Sequence, residues 1–471
     1  MNENMVSWSD YDGINGFGQA SSEDVANLNK ALTVGQDINK PSVAAGEGFA
    51  LRVESLESTL KVTTFKMQEI KFWKAIPKLA AYNTVEEHNV LSSYGENPDA
   101  SWIDEGELPE SDDSTWEREY AVVKYLGTTR SVSHVATMIK PAHGNIIANE
   151  TVNGTMHLLR VLERALFYGN SSLSSLQFDG YEKLITDNSP ATNIIDMRGA
   201  YLTEDNLTDA CRIVADQPNY GNPTHLHLSM TAHADLSKTF FPKERHSTFN
   251  DKTGVIGLNI DGFQGPTGVV KFEPNTFITD GGTYNAAAVG DSSKRPGTPT
   301  ISTSIAAAGS SSQFTADDAG DYYYQIVAVN RYGRSAPVDA NEGGGALTVA
   351  ATNSVTFGVT PSSATTGWYE IYRTAKNGAD GTERLIQRIV NSNGAGAQTI
   401  TDTNANIPGT TSAFLFQQDL QSMSFKQLAP MVKIPLATIS TSIRWAQVLY
   451  GVPVLYAPGK NLLIKNIGRL V

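Results

Sequence analysis

Twelve acidic side chains lie in one segment of the sequence, residues 86–119, together with a single base, Arg118. A pair of carboxylates can catalyse glycoside hydrolysis where an apolar pocket raises the pKa of one of them. Here the acids lie in turn-rich stretches such as EGELPESDDS, which offer no such pocket. We therefore interpret this acidic segment as a solvated or interface surface. Its acids are Glu86, Glu87, Glu96, Asp99, Asp104, Glu105, Glu107, Glu110, Asp112, Asp113, Glu117 and Glu119.

Two further groups have residue types that bind metal ions. His225 and His227 alternate on a predicted strand, with His233 six residues after the second. Because no carboxylate stands at a helical spacing from them, we predict strand-surface histidines rather than metal ligands. The stretch DTNANIPG from Asp402 begins like a calcium loop, but Ile407 occupies the sixth position, where glycine is required, and no Glu closes the loop. It is predicted to be a turn.

The single cysteine excludes an intrachain disulfide and a thiolate zinc cluster. Cys211 shares a predicted helical face with Leu207, Ala210 and Val214, which indicates a buried structural role. The sequence contains no glycine-rich phosphate loop, no GxSxG elbow and no HExxH motif. We therefore predict that the chain is not an enzyme and has no cofactor or metal.

The composition is that of a globular protein with 471 residues, 40% of them apolar and 18% charged. No apolar run reaches the roughly 18 residues of a membrane span, and the stretch MNENMVSWSDYDG lacks the features of a signal peptide. We expect a protein made and kept in a cytoplasm, without a membrane. The net charge of −13 argues against phosphate binding as the main activity.

The charge is unevenly distributed along the chain. The acidic segment has a net charge of −11, whereas residues 420–471 contain no acid and have a charge of +6. Opposite charges of this kind can pair within one monomer or between copies of it. The bases of this tail are Lys426, Lys433, Arg444, Lys460, Lys465 and Arg469.

The acidic segment is predicted to lie between two strands. MQEIKFWKAIPK alternates as a strand before it, and TWEREYAVVKYLGTTRSVSHVA is a strand-rich run after it. Together they predict a long two-stranded acidic loop.

The first 45 residues are polar and rich in glycine, with one helical candidate, SSEDVANLNKAL. A second helix is predicted from Leu51, in LRVESLESTLKV.

A long helix is predicted from about 145 to 168, and Gly169 is placed at a left-handed C-terminal cap. Thr203 is predicted to cap a second helix, followed by the strand THLHLSM and the helix TAHADLSKTFF. These elements predict an α+β body. The apolar stripe of the long helix consists of Ala148, Val152, Thr155, Leu159, Leu162 and Leu166.

Between about 291 and 410 the chain is rich in small and polar residues and contains the short strands DYYYQIVAVN, SVTFGV and GWYEIYRT. They predict a small β-sandwich. Long apolar strands resume in FKQLAPMVKIPLATISTSIRWAQVLYGVPVLYAP. The sandwich is therefore expected to be an insertion into the body.

The stretch FYGNSSLSSLQFDGYEKLI resembles the segment after the spine helix in major capsid proteins of tailed bacteriophages. The order of elements is also similar to that family, and the tail from residue 427 is similar to the closing strands of myovirus capsid proteins that carry an inserted immunoglobulin-like domain. The matching positions of the first motif are Phe167, Tyr168, Gly169, Phe178, Asp179, Gly180, Leu184 and Ile185.

The resemblance implies an HK-ninety-seven-type capsid fold with peripheral and axial domains. An N-terminal arm would span residues 1–47, and the first part of the capsid core residues 48–290. That part would contain an E-loop at about 80–125, the spine helix at about 145–168 and the axial domain from about 202. An inserted immunoglobulin/fibronectin-like sandwich would span 291–410, and the closing strands 411–471.

The resemblance further implies a major capsid protein that self-assembles into hexamers and pentamers of an icosahedral head. The head would enclose double-stranded DNA without sequence-specific binding and would be assembled in the host cytoplasm. Expected partners are other copies of the chain, a separate scaffolding protein, a portal and decoration proteins. Since residues 86–119 contain no lysine, we expect a non-covalent shell. The sandwich is expected to be either an outward binding knob or a folding unit tolerated at a surface loop.

The candidate inter-subunit contacts join the acidic segment to the basic tail. For the two tryptophans among them, packing within their own subunit is the alternative. Two other functions stay open at this point: a tail or baseplate component of a virion, and a carbohydrate-active enzyme with a fibronectin-like module. The candidate contacts are Trp102, Asp104, Glu105, Glu107, Trp116, Lys426, Lys433 and Arg444.

Overall fold

The structure is a computed structural model that describes residues 64–95, 97–139, 144–240, 260–278, 287–307, 311–341, 345–363, 365–437 and 440–470. The chain divides into two units, Met1–Thr63 with Ile139–Asn145, and Thr64–Met138 with Ile146–Val471. In the first unit only residues 139, 144 and 145 are described, and they lie outside helices and strands. The two helices predicted before residue 63 fall outside the described residues. The elements below belong to the second unit.

Six α-helices are described. The third is the longest, with 23 residues, and it matches the helix predicted from 145 to 168. The helices are α1 (Phe72–Ala75), α2 (His134–Met138), α3 (Ile146–Tyr168), α4 (Tyr181–Asn188), α5 (Glu204–Ala215) and α6 (Met230–Phe240), and short 3-10 turns lie at Met67–Glu69, Pro98–Ser101, Ala191–Asn193 and Pro458–Lys460.

The described strands fall into three groups along the chain. The first group comprises β1 (Lys78–Ala80), β2 (Val85–Ser93), β3 (Thr115–Val122), β4 (Lys124–Ser133), β5 (Ile194–Asp196), β6 (His225–Leu228), β7 (Gly262–Gly265) and β8 (Gly268–Pro274). The second comprises β9 (Val289–Gly290), β10 (Thr300–Ala307), β11 (Gly320–Tyr322), β12 (Tyr324–Asn330), β13 (Gly333–Arg334), β14 (Val338–Asp339), β15 (Leu347–Val349), β16 (Asn353–Thr360), β17 (Trp368–Arg373), β18 (Arg384–Val390) and β19 (Gln398–Asp402). The closing strands are β20 (Thr411–Phe416), β21 (Met423–Pro435), β22 (Ser442–Leu455) and β23 (Leu462–Ile467).

The closing strands complete both sheets of the body. A four-stranded sheet has the order β1-β21-β22-β4, and a six-stranded sheet has the order β5-β23-β20-β6-β8-β7. Residues that are far apart in sequence therefore share each sheet: in the second, β20 lies between β6 and β23. The body combines helices with sheets that contain antiparallel strand pairs, so the predicted α+β class is confirmed.

Helix α3 lies on an aromatic core in its C-terminal half. Each leucine that this core buries stabilises the fold by about 1.5–3 kcal/mol relative to an exposed one. The N-terminal half differs from the predicted stripe, because Val152 is 60% exposed and Ala148 is exposed. There Gly154 faces β22, and Gln447 donates a 2.8 Å hydrogen bond to the carbonyl of Thr151. The buried leucines are Leu159, Leu162 and Leu166, which join Phe72, Phe416 and Phe425.

A second core covers the six-stranded sheet with helices α5 and α6. Thr203 caps α5 in a capping box with Asn206, as the sequence predicts for the cap. Cys211 is 1% exposed, which confirms its buried role, and burial raises the pKa of its thiol to about 11. Such a thiol is a packing group rather than a nucleophile.

The strand predicted for MQEIKFWKAIPK is wrong. The structure places a 3-10 turn at Met67–Glu69 and the single-turn helix α1 there, with the only strand of this stretch at Lys78–Ala80. A buried carboxylate on α3, that of Glu163, accepts hydrogen bonds from the first N–H groups of α1. This tertiary contact favours the helical turn over the extended form that the alternation predicts.

The left-handed cap predicted at Gly169 is also wrong, since Gly169 is not among the residues with positive φ. Glycine is needed there for close approach instead. A Cβ on Gly169 would lie 2.6 Å from the carbonyl oxygens of Ala165 and Phe178. The N–H of Gly180 donates to the carbonyl of Gly169 at 2.8 Å, so the two glycines hold the end of α3 against the start of α4.

The strands from Val289 to Asp402 pair with one another. One sheet has the order β10-β16-β19, and another has the order β18-β17-β12-β13-β9 with β14 beside β12. Between them lies a core that includes Ile326, Phe357, Tyr369 and Ile371. The three strands quoted from the sequence are confirmed, whereas the boundaries 291–410 of an inserted domain stay a prediction.

Candidate inter-subunit surfaces

The acidic segment forms a β-hairpin with a long exposed tip. Strands β2 and β3 pair antiparallel, from Val85 opposite Val122 to Leu91 opposite Trp116. Every residue from 101 to 114 is exposed. The two-stranded acidic loop predicted from the sequence is thus present in the fold. We use the name acidic tip for residues 97–114.

The candidate contact residues of this hairpin all point away from the protein interior. Trp102 is 86% exposed and Trp116 is 64% exposed, so neither is buried in its own subunit. The indole N–H of Trp116 donates only to Ser114, at 2.9 Å. Asp104, Glu105 and Glu107 are exposed and make no ion pair with any described residue. These side chains are free for another chain to contact.

One acid of the acidic segment pairs with a base of the tail within the monomer. Lys426 lies 3.1 Å from Glu86 at the base of the hairpin, and both side chains are largely buried. Burial opposes ionisation of Glu86, but hydrogen bonds from the backbone of Asn83 and Tyr82 and the ammonium of Lys426 outweigh it and lower the pKa of the carboxyl. Lys426 therefore anchors the hairpin to β21 of the same chain, instead of pairing with an acid of a neighbouring subunit.

Other bases of the tail are also paired within the chain. Lys465 lies 3.4 Å from Asp196, and Arg469 lies 3.1 Å from Asp235. By contrast, Lys433 and Arg444 are exposed and form no ion pair in the described part of the chain. Lys433 stands over the ring of Trp445, with its nitrogen 4.6 Å from the ring centroid. Three of the six bases of the acid-free tail are thus paired with acids from elsewhere in the fold.

The two groups considered for metal binding have other roles. His227 is fully buried, not at the strand surface as predicted; burial, followed by the nearby His225, lowers its pKa to about 3. Within the described ranges, no three His, Cys, Asp or Glu side chains are grouped to hold a metal ion. At the stretch that begins like a calcium loop, Asp402 accepts a 2.5 Å hydrogen bond from Arg373, whose guanidinium also donates to Asn404 at 2.6 Å. The cation beside this stretch is thus the guanidinium of Arg373 on β17.

A groove that the sequence did not predict lies between α3 and strands β13, β17 and β18. It has a volume of about 900 Å³. The single carboxylate among its lining residues, Glu370, accepts a 2.9 Å hydrogen bond from Arg388. We call this feature the arginine groove, after its four basic lining residues Arg160, Arg164, Arg334 and Arg388.

Comparison with known proteins shows the family of the chain. The sequence model of the SU10 major capsid protein family matches residues 47–295, which is more than half of the chain. The chain belongs to the SU10 major capsid protein family. It is a major capsid protein of a tailed phage and a component of the virion head.

Two relatives align with this family member along almost its whole length. The putative major capsid protein of Enterococcus phage phiEF24C is 26% identical over 457 residues, which cover 93% of this chain and 94% of the relative. The major capsid protein of Staphylococcus phage S25-3 is 25% identical over 444 residues, covering 89% and 90%. No helix among the described residues of this capsid protein is long and apolar enough to cross a membrane.

Solved capsid chains are also similar to this capsid protein. The capsid of a native GTA particle gives a TM-score of 0.47 at 9% identity and covers 91% of this chain and 99% of its own. The capsid of Myoviridae phage XM1 gives 0.44 at 10% identity, with 87% and 96% covered.

Proposed function

We propose that this capsid protein is a tile of HK-ninety-seven-type that assembles into hexamers and pentamers of an icosahedral head. The supporting observation is the acidic hairpin, whose tip has large apolar side chains that no described residue buries. Trp102 and Leu108 are 86% and 91% exposed. Exposed apolar groups of this size mark surfaces that another chain covers.

The proposed assembly rests on apolar anchors more than on charge pairs. A solvent-exposed ion pair contributes at most about 1 kcal/mol. An aromatic side chain that fills a pocket at an interface contributes about 2 kcal/mol or more. We therefore assign anchoring to Trp102 and Trp116, and assign steering and register to Asp104, Glu105 and Glu107. Lys433 and Arg444 are further proposed contacts, whereas Lys426 is assigned to its own subunit.

The remaining roles are proposals that accompany this one. The head encloses double-stranded DNA without reading its sequence, and assembly in the host cytoplasm uses a separate scaffolding protein, a portal and decoration proteins. Residues 291–410 are an inserted sandwich domain. The chain is structural rather than catalytic. Subunits join without a covalent link, because the acidic segment contains no lysine.

Electron microscopy of the purified protein, alone or with a scaffolding protein, tests this function. Icosahedral shells are expected. Tubes with a tail-like repeat, or monomers at every protein concentration, would contradict the proposal. Denaturing gel electrophoresis of the shells is expected to show single chains, and a ladder of multimers would contradict non-covalent joining.

A further inference from the structure

The lining of the arginine groove has more positive than negative charge, with four arginines and one glutamate. The guanidinium groups of Arg160, Arg164 and Arg334 form no hydrogen bond or ion pair with any described residue. Arg388 is the exception, because it is paired with Glu370. Loss of water in the groove, followed by the charge of Arg388, lowers the pKa of the Arg164 guanidinium. Four guanidinium groups thus share one carboxylate, that of Glu370, in the lining of the groove.

The shape of the groove brings these charges together from separate elements. Arg160 and Arg164 are four residues apart and therefore lie on one face of α3. Arg334 comes from β13 across the groove, and Trp368 and Val161 add apolar surface between the charges. Guanidinium groups bind carboxylates through two parallel hydrogen bonds, which favours an acidic peptide segment with some apolar side chains.

The acidic tip has the complementary composition. Five of its carboxylates are exposed and have no ion pair in the described part of the chain, and Leu108 among them is 91% exposed. Because the tip is exposed rather than seated in the groove of its own chain, a tip that enters the groove would come from a second copy. The five acids are Asp104, Glu105, Glu107, Glu110 and Asp113.

We propose that the arginine groove of one subunit receives the acidic tip of a neighbouring subunit. This inference rests on the proposed function and specifies which surface accepts the hairpin. The basic tail is a weaker acceptor, because Lys426, Lys465 and Arg469 are already paired within the chain. The groove keeps three unpaired guanidinium groups and therefore provides the stronger electrostatic complement.

Charge reversal on each side tests the inference. The groove variant is Arg160→Glu/Arg164→Glu and the tip variant is Glu105→Lys/Glu107→Lys. The tail variant, Lys433→Glu/Arg444→Glu, tests the basic tail as the alternative acceptor. Light scattering gives the protein concentration at which shells form, and electron microscopy verifies the shells. The groove and tip variants are each expected to raise that concentration about tenfold or more, and their combination is expected to restore it to within about threefold of wild type.

Circular dichroism and thermal unfolding of each monomer show whether the variants fold. If the groove variant does not fold, Arg160→Gln/Arg164→Gln removes the charge without adding an acid and is expected to raise the concentration in the same direction. Assembly of a folded groove variant at the wild-type concentration would overturn the inference, as would rescue of the tip variant by the tail variant. Failure of the wild-type protein to form shells would instead contradict the proposed function itself.

Discussion

The carboxylate of Glu163 on α3 accepts a 2.8 Å hydrogen bond from the backbone N–H of Phe72. Its second oxygen, Oε2, accepts another of 2.8 Å from the backbone N–H of Trp73, and the amide of Asn275 donates to the first oxygen, Oε1, at 2.7 Å. Glu163 is fully buried. One side chain of the long helix therefore holds both the segment that leads into β1 and the loop that follows β8.

Replacement of Glu163 is expected to destabilise the monomer. Glu163→Ala leaves buried donors without an acceptor, at a cost of about 3 kcal/mol, and Glu163→Gln costs less because one acceptor oxygen remains. Denaturant unfolding measures the free energy of unfolding. Glu150→Ala on the same helix is the control. The side chain of Glu150 is half-buried, and its ion pair with Arg130 is long, at 3.7 Å. Equal effects of Glu163→Ala and Glu150→Ala would contradict this role.

Glu182 on α4 is expected to make stability depend on pH. Burial raises the pKa of its carboxyl to about 7, although Arg388 and Lys465 oppose the shift. The folded chain then binds a proton that the unfolded chain releases above about pH 4.3. The stabilising effect is complete below that pH and is lost as the pH rises through 7.

Thermal unfolding between pH 5 and 8 measures this contribution. In Glu182→Gln the fall of the melting temperature with rising pH is expected to be shallower than in wild type. Asp209→Asn is the control, since that side chain is 66% exposed. Identical pH profiles for wild type and Glu182→Gln would contradict the assignment.

The buried pair of Arg373 and Asp402 is expected to stabilise the strands from 289 to 402. Both side chains are at most 4% exposed, and the hydroxyl of Tyr324 donates to the same carboxylate at 2.9 Å. Arg373→Ala leaves a buried charge without its partner, which costs about 3–5 kcal/mol. Calorimetry should show a lower melting temperature for this variant than for Arg331→Ala, which removes an exposed arginine. A melting temperature unchanged by Arg373→Ala would sink this prediction.

Gly169→Ala is expected to separate the end of α3 from the start of α4. The added Cβ would meet two backbone carbonyl oxygens at 2.6 Å, which cannot move as a side chain can. Overpacking of this kind costs about 1–3 kcal/mol. Gly367→Ala is the control, because its nearest neighbour would lie at 3.4 Å, an ordinary contact. Urea unfolding of both variants compares the costs, and the prediction fails if they are equal.

The sequence predicts correctly those helices whose signals lie in neighbouring residues. The periodicity before Tyr168 and the cap at Thr203 gave helices that the structure contains. The local alternation predicts a strand at Phe72. The carboxylate that caps its helix belongs to Glu163, 91 residues away, so the local pattern does not contain this signal. The alternation also predicts His227 at a surface, whereas His227 is fully buried. Alternation along a strand does not show whether both faces of the sheet are covered.

The candidate site was predictable only in part for the same reason. The exposure of Trp102 and the acids around it follows from turn-rich, charged sequence. The pairing of Lys426 with Glu86 joins residues 340 positions apart. The arginine groove combines one helix with strands from a different part of the chain, so no local pattern brings Arg164 and Arg334 together.

A reconstruction of the assembled shell at side-chain resolution tests the central claim most directly. It measures what surrounds Trp102 and Trp116 when the subunits are joined. The proposed assembly predicts that both indole rings are covered by a neighbouring subunit. Rings that stay exposed to solvent, or that fold back onto their own subunit, would contradict it.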